Sequence, residues 1–362
     1  MIINDTINLH NVGQTKSYKG GLMLLRYPSN VISKMGYGPN IKGKTKALYP
    51  AMVEIQVSTL SSYVEISLMS IESDAQVICY INNFSVGIAN IRKGKIERIR
   101  FELHKRQMEY LHSLGDKPVL WRFIMPSYTR ISFYEIVAQN KLNKLCDNES
   151  YILYGSSISQ GVGALNGASS YAFCLQENLH ISILNKALSG SCLLEPDVVN
   201  YLAYLNAKGY ILELGCNARG VMDDIEFAKR LDYMLDLLTT LKPNCPIVIV
   251  NILEMLENIY KKNSIVSEFA QKDVLFIKQI KRLVKKYNEI GHIYLISGSK
   301  LATTLDCLSQ DLLHPSNKGH EMIALGISKV MKKYNCKNFV FSSSATVYGD
   351  AKVVPITEES PL

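Results

Sequence analysis

The spacing of hydrophobic and polar positions changes near residue 148. Upstream, Val64, Ile66 and Leu68 alternate with Glu65 and Ser67, the period of a sheet with one buried face. The same pattern predicts short strands over 52–57, 63–69, 77–81, 96–103, 119–124 and 131–136, separated by clusters of Asn, Gly, Ser and Asp. Strands at this spacing predict a β-sandwich over residues 1–147. Downstream, apolar runs starting at Tyr151, Ile181, Tyr210, Pro246 and His292 alternate with helical patterns near 169–179, 196–206, 225–241, 269–287 and 318–332. Alternation of this kind requires right-handed crossovers, and so predicts an α/β unit over 148–333 with a parallel sheet covered by helices on both faces.

The most informative stretch lies at the first strand of that unit. Four apolar residues from Tyr151 to Tyr154 are followed by Gly155, Ser156 and Ser157, which places two hydroxyls on an exposed loop where the strand ends. Open α/β sheets put their chemistry there. Taken alone, such a run is an ordinary strand-to-helix turn. Three further blocks accompany it in chain order: Leu188-Ser189-Gly190, then Leu214-Gly215-Cys216-Asn217, then Asp311-Leu312-Leu313-His314-Pro315.

In this order the four blocks resemble the SGNH hydrolases, the GDSL-type esterase superfamily. The resemblance implies a flavodoxin-like three-layer α/β/α domain in which Ser157 is the nucleophile and Asp311 and His314 complete a triad. It also implies an oxyanion hole formed by the backbone N–H groups of Ser157 and Gly190 and the Asn217 amide. Ser156 stands where the family usually carries Asp, which puts the local hydrogen bonding in question rather than the reaction. A jelly-roll-like sandwich before the catalytic unit occurs in known two-domain members, and 121–123 and 131–133 are similar to their last sandwich strands. The resemblance thus implies a serine esterase that removes short acyl groups, acetyl above all, from carbohydrate. Two alternatives stay open: an acyltransferase with the same triad, and a non-catalytic carbohydrate-binding protein.

The chemistry fits the residue types. A Ser hydroxyl is a poor nucleophile unless a base lies within hydrogen-bond reach and a third group holds that base in one tautomer. Asp311 and His314, three residues apart in a helix-like turn, can meet on one side. Only a neutral imidazole accepts the Ser proton, so activity is expected to rise with pH. His320, six residues on, has no motif around it and is expected to be partly buried or on the surface.

Composition narrows the classes. Of the 362 residues 47% are hydrophobic and 20% charged, which describes a folded chain large enough for two domains. The net charge of +8 is spread over amphipathic helices such as 276–286, so no nucleic-acid partner is expected. The eight cysteines occur singly, without Cys-x-x-Cys or a His cluster at ligand spacing, which argues for reduced thiols and for neither metal nor cofactor. Residues 1–5 lack a basic and then apolar leader, and no segment offers eighteen uncharged apolar residues, so neither secretion nor membrane contact is expected and the location is expected to be cytoplasmic. Tyr80, Trp121 and Tyr134 could form a sugar-stacking platform, although core packing suits most of them better.

Residues 334–362 read differently. Ser343-Ser344-Ala345-Thr346-Val347-Tyr348-Gly349, with 355–361 behind it, resembles about thirty residues internal to UDP-galactose 4-epimerases. An epimerase would need a dinucleotide fingerprint, and Gly161, Gly163 and Gly167 have the wrong spacing for one. The tail is therefore expected to be a fused fragment dispensable for catalysis.

Overall fold

In the computed structural model, the residues described are 1–113, 115, 117–146, 149–253 and 268–335. The epimerase-like stretch and the strand expected at 338–342 lie outside them. Strands are numbered in chain order. One antiparallel sheet runs β1 (Ile2–Ile3), β2 (Ile7–His10), β5 (Glu54–Thr59), β10 (Val119–Ile124), β7 (Ala75–Ile81) and β8 (Phe84–Ile91) in space. A second runs β3 (Gln14–Tyr18), β4 (Gly21–Leu25), β11 (Ile131–Ala138), β6 (Tyr63–Ser70) and β9 (Glu97–Glu102).

These sheets face each other across one apolar core. Alternation explains it: Val64, Ile66 and Leu68 from the second sheet meet Ile55, Val57, Val77, Cys79, Trp121 and Phe123 from the first, all fully buried. Trp121 therefore belongs to the core and is not part of a sugar platform. Tyr134 sits on the second sheet, where its hydroxyl donates to the Lys19 carbonyl.

The third sheet is wholly parallel, in the order β13 (Ile183–Asn185), β12 (Ser150–Tyr154), β14 (Ala207–Glu213), β15 (Ile247–Val250) and β16 (Ile293–Ile296). Counted from β12 this is the flavodoxin-like order 2-1-3-4-5, whose crevice opens where β12 and β14 diverge. Helices Pro196–Ala203, Asp224–Leu241 and Glu268–Tyr287 cover one face, and Tyr171–Leu179 and Asn317–Asn335 the other. β12 reads Ser-Tyr-Ile-Leu-Tyr, buried at every position, as a strand covered on both faces must be.

The sandwich is bolted to this sheet beside the crevice. Arg26, fully buried, donates to the Tyr49 and Lys46 carbonyls of its own domain and to the Asn185 and Ala187 carbonyls at the end of β13. Lys186 reaches back, its ammonium donating to the carbonyls of Asn11 and Arg26. Burial beside the Arg26 cation holds this ammonium well below its ordinary pKa.

Candidate active site

The loops after β12, β13 and β14 share the C-terminal edge of the parallel sheet, and the turn before helix Asn317–Asn335 closes over them. Ser157 begins a four-residue helix, Ser157–Gln160, capped by the Ser156 hydroxyl, which accepts the Ile158 N–H. It is 8% exposed, so the expected exposed loop is in fact a buried turn. Gly155 makes the turn possible, because a Cβ there would lie 2.2 Å from Ser159 Oγ and 2.9 Å from Glu213 Oε2.

His314 Nε2 stands 2.8 Å from Ser157 Oγ, and His314 Nδ1 stands 2.6 Å from Asp311 Oδ2. The Asp311–His314 segment is not the expected helical turn. Leu312 adopts φ 55°, and Asp311 Oδ1 accepts the N–H groups of Leu313 and His314 and the Ser309 hydroxyl. Burial alone would raise the Asp311 pKa, but these bonds and the His314 ring hold it well below the usual carboxylate range. An ionised Asp311 accepts a hydrogen bond from Nδ1–H and so fixes the proton there, which leaves Nε2 free to accept from the Ser157 hydroxyl.

Gly190 and Asn217 reach the same edge. Gly190 adopts φ 69°, and its carbonyl accepts from Asn40 Nδ2 of the sandwich at 3.0 Å. Asn217 Oδ1 accepts the Cys192 N–H at 3.1 Å, which turns the amide so that Nδ2 is left to donate. The Ser189 N–H donates to Gln160 Oε1, tying the Gly190 loop to the Ser157 turn. Asn185 Nδ2 likewise donates to the Ser159 carbonyl. These bonds tie the loops that carry Ser157, Gly190 and Asn217 to one another at one edge of the sheet.

Two residues of this region are not legible in the sequence. Glu213, the last residue of β14, is fully buried; its Oε2 accepts the Ser156 N–H at 2.7 Å and the Ser159 hydroxyl at 3.1 Å. The visible signal is a lone carboxylate in an otherwise apolar run from Tyr210 to Leu214. His320, expected to be partly buried or on the surface, is fully buried, and burial lowers its pKa to about 4. Its neutral ring accepts the Tyr171 N–H and donates to the Val162 carbonyl, holding the loop that follows Ser157.

Asn217→Ala is expected to lower kcat by about 10² to 10³ with little change in KM, the effect of removing an oxyanion donor, which meets a full negative charge only in the transition state. Steady-state kinetics on p-nitrophenyl acetate check this, and a pure KM effect would make Asn217 a substrate-positioning residue instead.

Among the described residues no group of acidic, His and Cys side chains could hold a metal ion, and no helix is long and apolar enough to cross a membrane. Residues 148–332 match the family described as GDSL-like lipase/acylhydrolase. Among solved structures, a salicylyl-acyltransferase from a tetracycline biosynthetic pathway superposes with a TM-score of 0.77 at 14% identity, covering 92% of this chain and 96% of that one. A family two carbohydrate esterase from Clostridium thermocellum in complex with cellohexaose gives 0.60 at 12% identity, covering 91% and 99%. An acetyl xylan esterase from the rumen bacterium Butyrivibrio proteoclasticus gives 0.58 at 12%, covering 92% and 97%. At these identities the likeness is one of fold. A segment of 80 residues is 41% identical to UDP-glucose 4-epimerase 2 of Arabidopsis thaliana, longer than the thirty residues carrying the motif. The chain spans about a fifth of that curated relative, 22% of its length.

Proposed function

The chain belongs to the GDSL-like lipase/acylhydrolase family, and from that premise we propose that it is a serine esterase acting on short acyl esters of carbohydrate. The observation that carries this reading is the line from Asp311 through His314 to Ser157, at 2.6 and 2.8 Å. Ser157 Oγ attacks the ester carbonyl carbon while its proton passes to His314 Nε2. The oxyanion is held by the Ser157 and Gly190 N–H groups and Asn217 Nδ2. Collapse expels the alcohol, which takes the proton from His314. Water, deprotonated by the same imidazole, then attacks the acyl-enzyme and releases the acid and Ser157.

Hydrolysis is favoured over transfer because Asp311 and His314 side chains are 45% and 16% exposed, so water reaches the acyl-enzyme. A cleft of about 200 Å³ borders the loop after Ser157, lined by Ser73, Asp74, Gln76 and Thr129 from the sandwich and by Leu165 and Asn166. Its hydroxyls and amides suit a polar alcohol such as a sugar. The similarity to an acetyl xylan esterase and to a cellohexaose-bound carbohydrate esterase points to the same substrate class.

A fluorophosphonate probe is expected to label Ser157, located by mass spectrometry of the digested protein. Absence of labelling in folded protein would remove the nucleophile from the reading. Across a p-nitrophenyl series, acetyl is expected to turn over faster than octanoyl, since holding each further CH₂ needs apolar surface at about 0.8 kcal/mol apiece. The reverse order would make the protein a longer-chain esterase.

A further inference from the structure

We propose that the outward face of the first sandwich sheet, with helix Tyr171–Leu179, forms a second binding groove, for a neutral saccharide chain, remote from Ser157. Strand alternation builds it. Leu9, Ile55, Val57, Cys79, Ile81, Trp121 and Phe123 point into the sandwich core, so Asn8, Gln56, Arg122 and Tyr80 point outward. The register then sets these four in one row: Asn8 stands opposite Gln56, Gln56 opposite Arg122, and Arg122 opposite Tyr80.

The catalytic domain covers part of this face, where Ile78, Ile124 and Tyr80 pack against its apolar core and Arg122 and His10 bond to Glu177 and to the Ile183 carbonyl. What remains is a cleft of about 310 Å³ whose walls include Asn8, Gln56, Arg122, Gln176, Glu177 and His180. It shares Asn83, Glu177 and His180 with an adjoining cleft walled by Tyr80 and Phe173, whose rings meet edge to face at 5.3 Å. Asn83 and His180, on the exposed side of this wall and beside an aromatic ring, are of the kinds of group that hold sugar hydroxyls and the apolar faces of sugar rings.

The polar groups are fixed in advance. Arg122 grips Glu54 through two bonds of 2.7 and 2.8 Å and Glu177 through one of 2.8 Å, while Gln176 donates to Glu54 and Asn8 to Gln56. Stability is a weak reason for such a network, because a buried ion pair is often matched by apolar packing. Asn8 Oδ1, buried beneath the groove wall, has no hydrogen-bond partner among the described residues. Arg122 is already committed to carboxylates, which disfavours an anionic ligand.

The groove lies under the far end of the parallel sheet. Ser182, in its wall, accepts the Tyr151 N–H at the start of β12, whereas Ser157 follows the other end, on the order of 15–20 Å away along a strand rising about 3.3 Å per residue. Binding in this groove is independent of which bond the catalytic edge cuts.

The test is calorimetric titration of the full chain carrying Ser157→Ala with unacetylated cellohexaose, xylohexaose and mannohexaose. At least one is expected to bind with Kd of about 1 mM or tighter, and Tyr80→Ala and Asn83→Ala are each expected to weaken it about tenfold or more. Fluorophosphonate labelling of Ser157 in the parent protein is expected to leave that affinity unchanged. If Tyr80→Ala fails to fold by circular dichroism, Asn83→Ala, at an exposed hairpin turn, decides alone. Binding of no hexasaccharide, binding abolished by labelling Ser157, or binding indifferent to the groove substitutions would each overturn the proposal.

Discussion

Replacing Ser157 by alanine is expected to lower kcat for p-nitrophenyl acetate by about 10⁴ or more, the scale of loss when a nucleophile is removed from a triad whose members act as a unit. On the proposed reading the remaining groups still bind and polarise the carbonyl, so KM is expected to stay within a few-fold. The fold should be little changed. Ser157 Oγ bonds to His314 Nε2 and packs no apolar cluster, and alanine is well tolerated at the start of a helix. A thermal midpoint within a few degrees of the parent, together with the loss of rate, is the expected pair of results. A variant retaining even a tenth of the parent rate would show that another group attacks the ester. In that case the 2.8 Å contact with His314 would be a capping bond and nothing more.

Residues that act through the local chain are legible in the sequence. Gly155 through Ser157, Gly190, Gly215 through Asn217, and Asp311 with His314 each announce a turn by composition. The parallel sheet implied by the strand-helix alternation brings those turns to one edge. Residues that act across the fold are not legible. Arg26 is one cation in a short apolar stretch, and nothing near it in the sequence shows that its partners are the carbonyls of Asn185 and Ala187. Among the strands before residue 50, β3 escapes the sequence pattern for a different reason. β3 reads Gln-Thr-Lys-Ser-Tyr, with no buried position, because it is an edge strand and takes its order from pairing with β4 rather than from burial. The β8 strand Phe84–Ile91 is hidden in the same way, as the exposed edge of the first sheet.

Glu213→Ala is expected to cost about 1–3 kcal/mol, since it strands the buried Ser156 N–H, while the Ser159 hydroxyl loses one of its two partners and keeps its 2.6 Å bond to the Tyr171 hydroxyl. Ser156 and Ser159 both lie in the turn that carries Ser157, so kcat is expected to fall with stability while KM changes little. The isosteric change Glu213→Gln separates shape from charge. Burial raises the pKa of Glu213, against the pull of hydrogen bonds from Ser156 and Ser159 and of the Arg219 charge. Its other oxygen, Oε1, is buried with no hydrogen-bond partner among the described residues, where an ionised carboxylate is costly. A carboxyl whose folded pKa lies above its unfolded value stabilises fully below the ordinary carboxylate range, and that contribution is lost as pH rises through the folded pKa. Gln keeps the acceptor and cannot ionise, so it escapes the loss. Urea unfolding at pH 5 and pH 8 is therefore expected to show Glu213→Gln gaining stability relative to the parent as pH rises, with other buried carboxyls such as Glu195 cancelling in the difference. A Gln variant that instead lost ground at pH 8 would mean that the fold holds Glu213 as the anion, with Arg219, itself ion-paired to Asp273, supplying enough positive charge to keep it so.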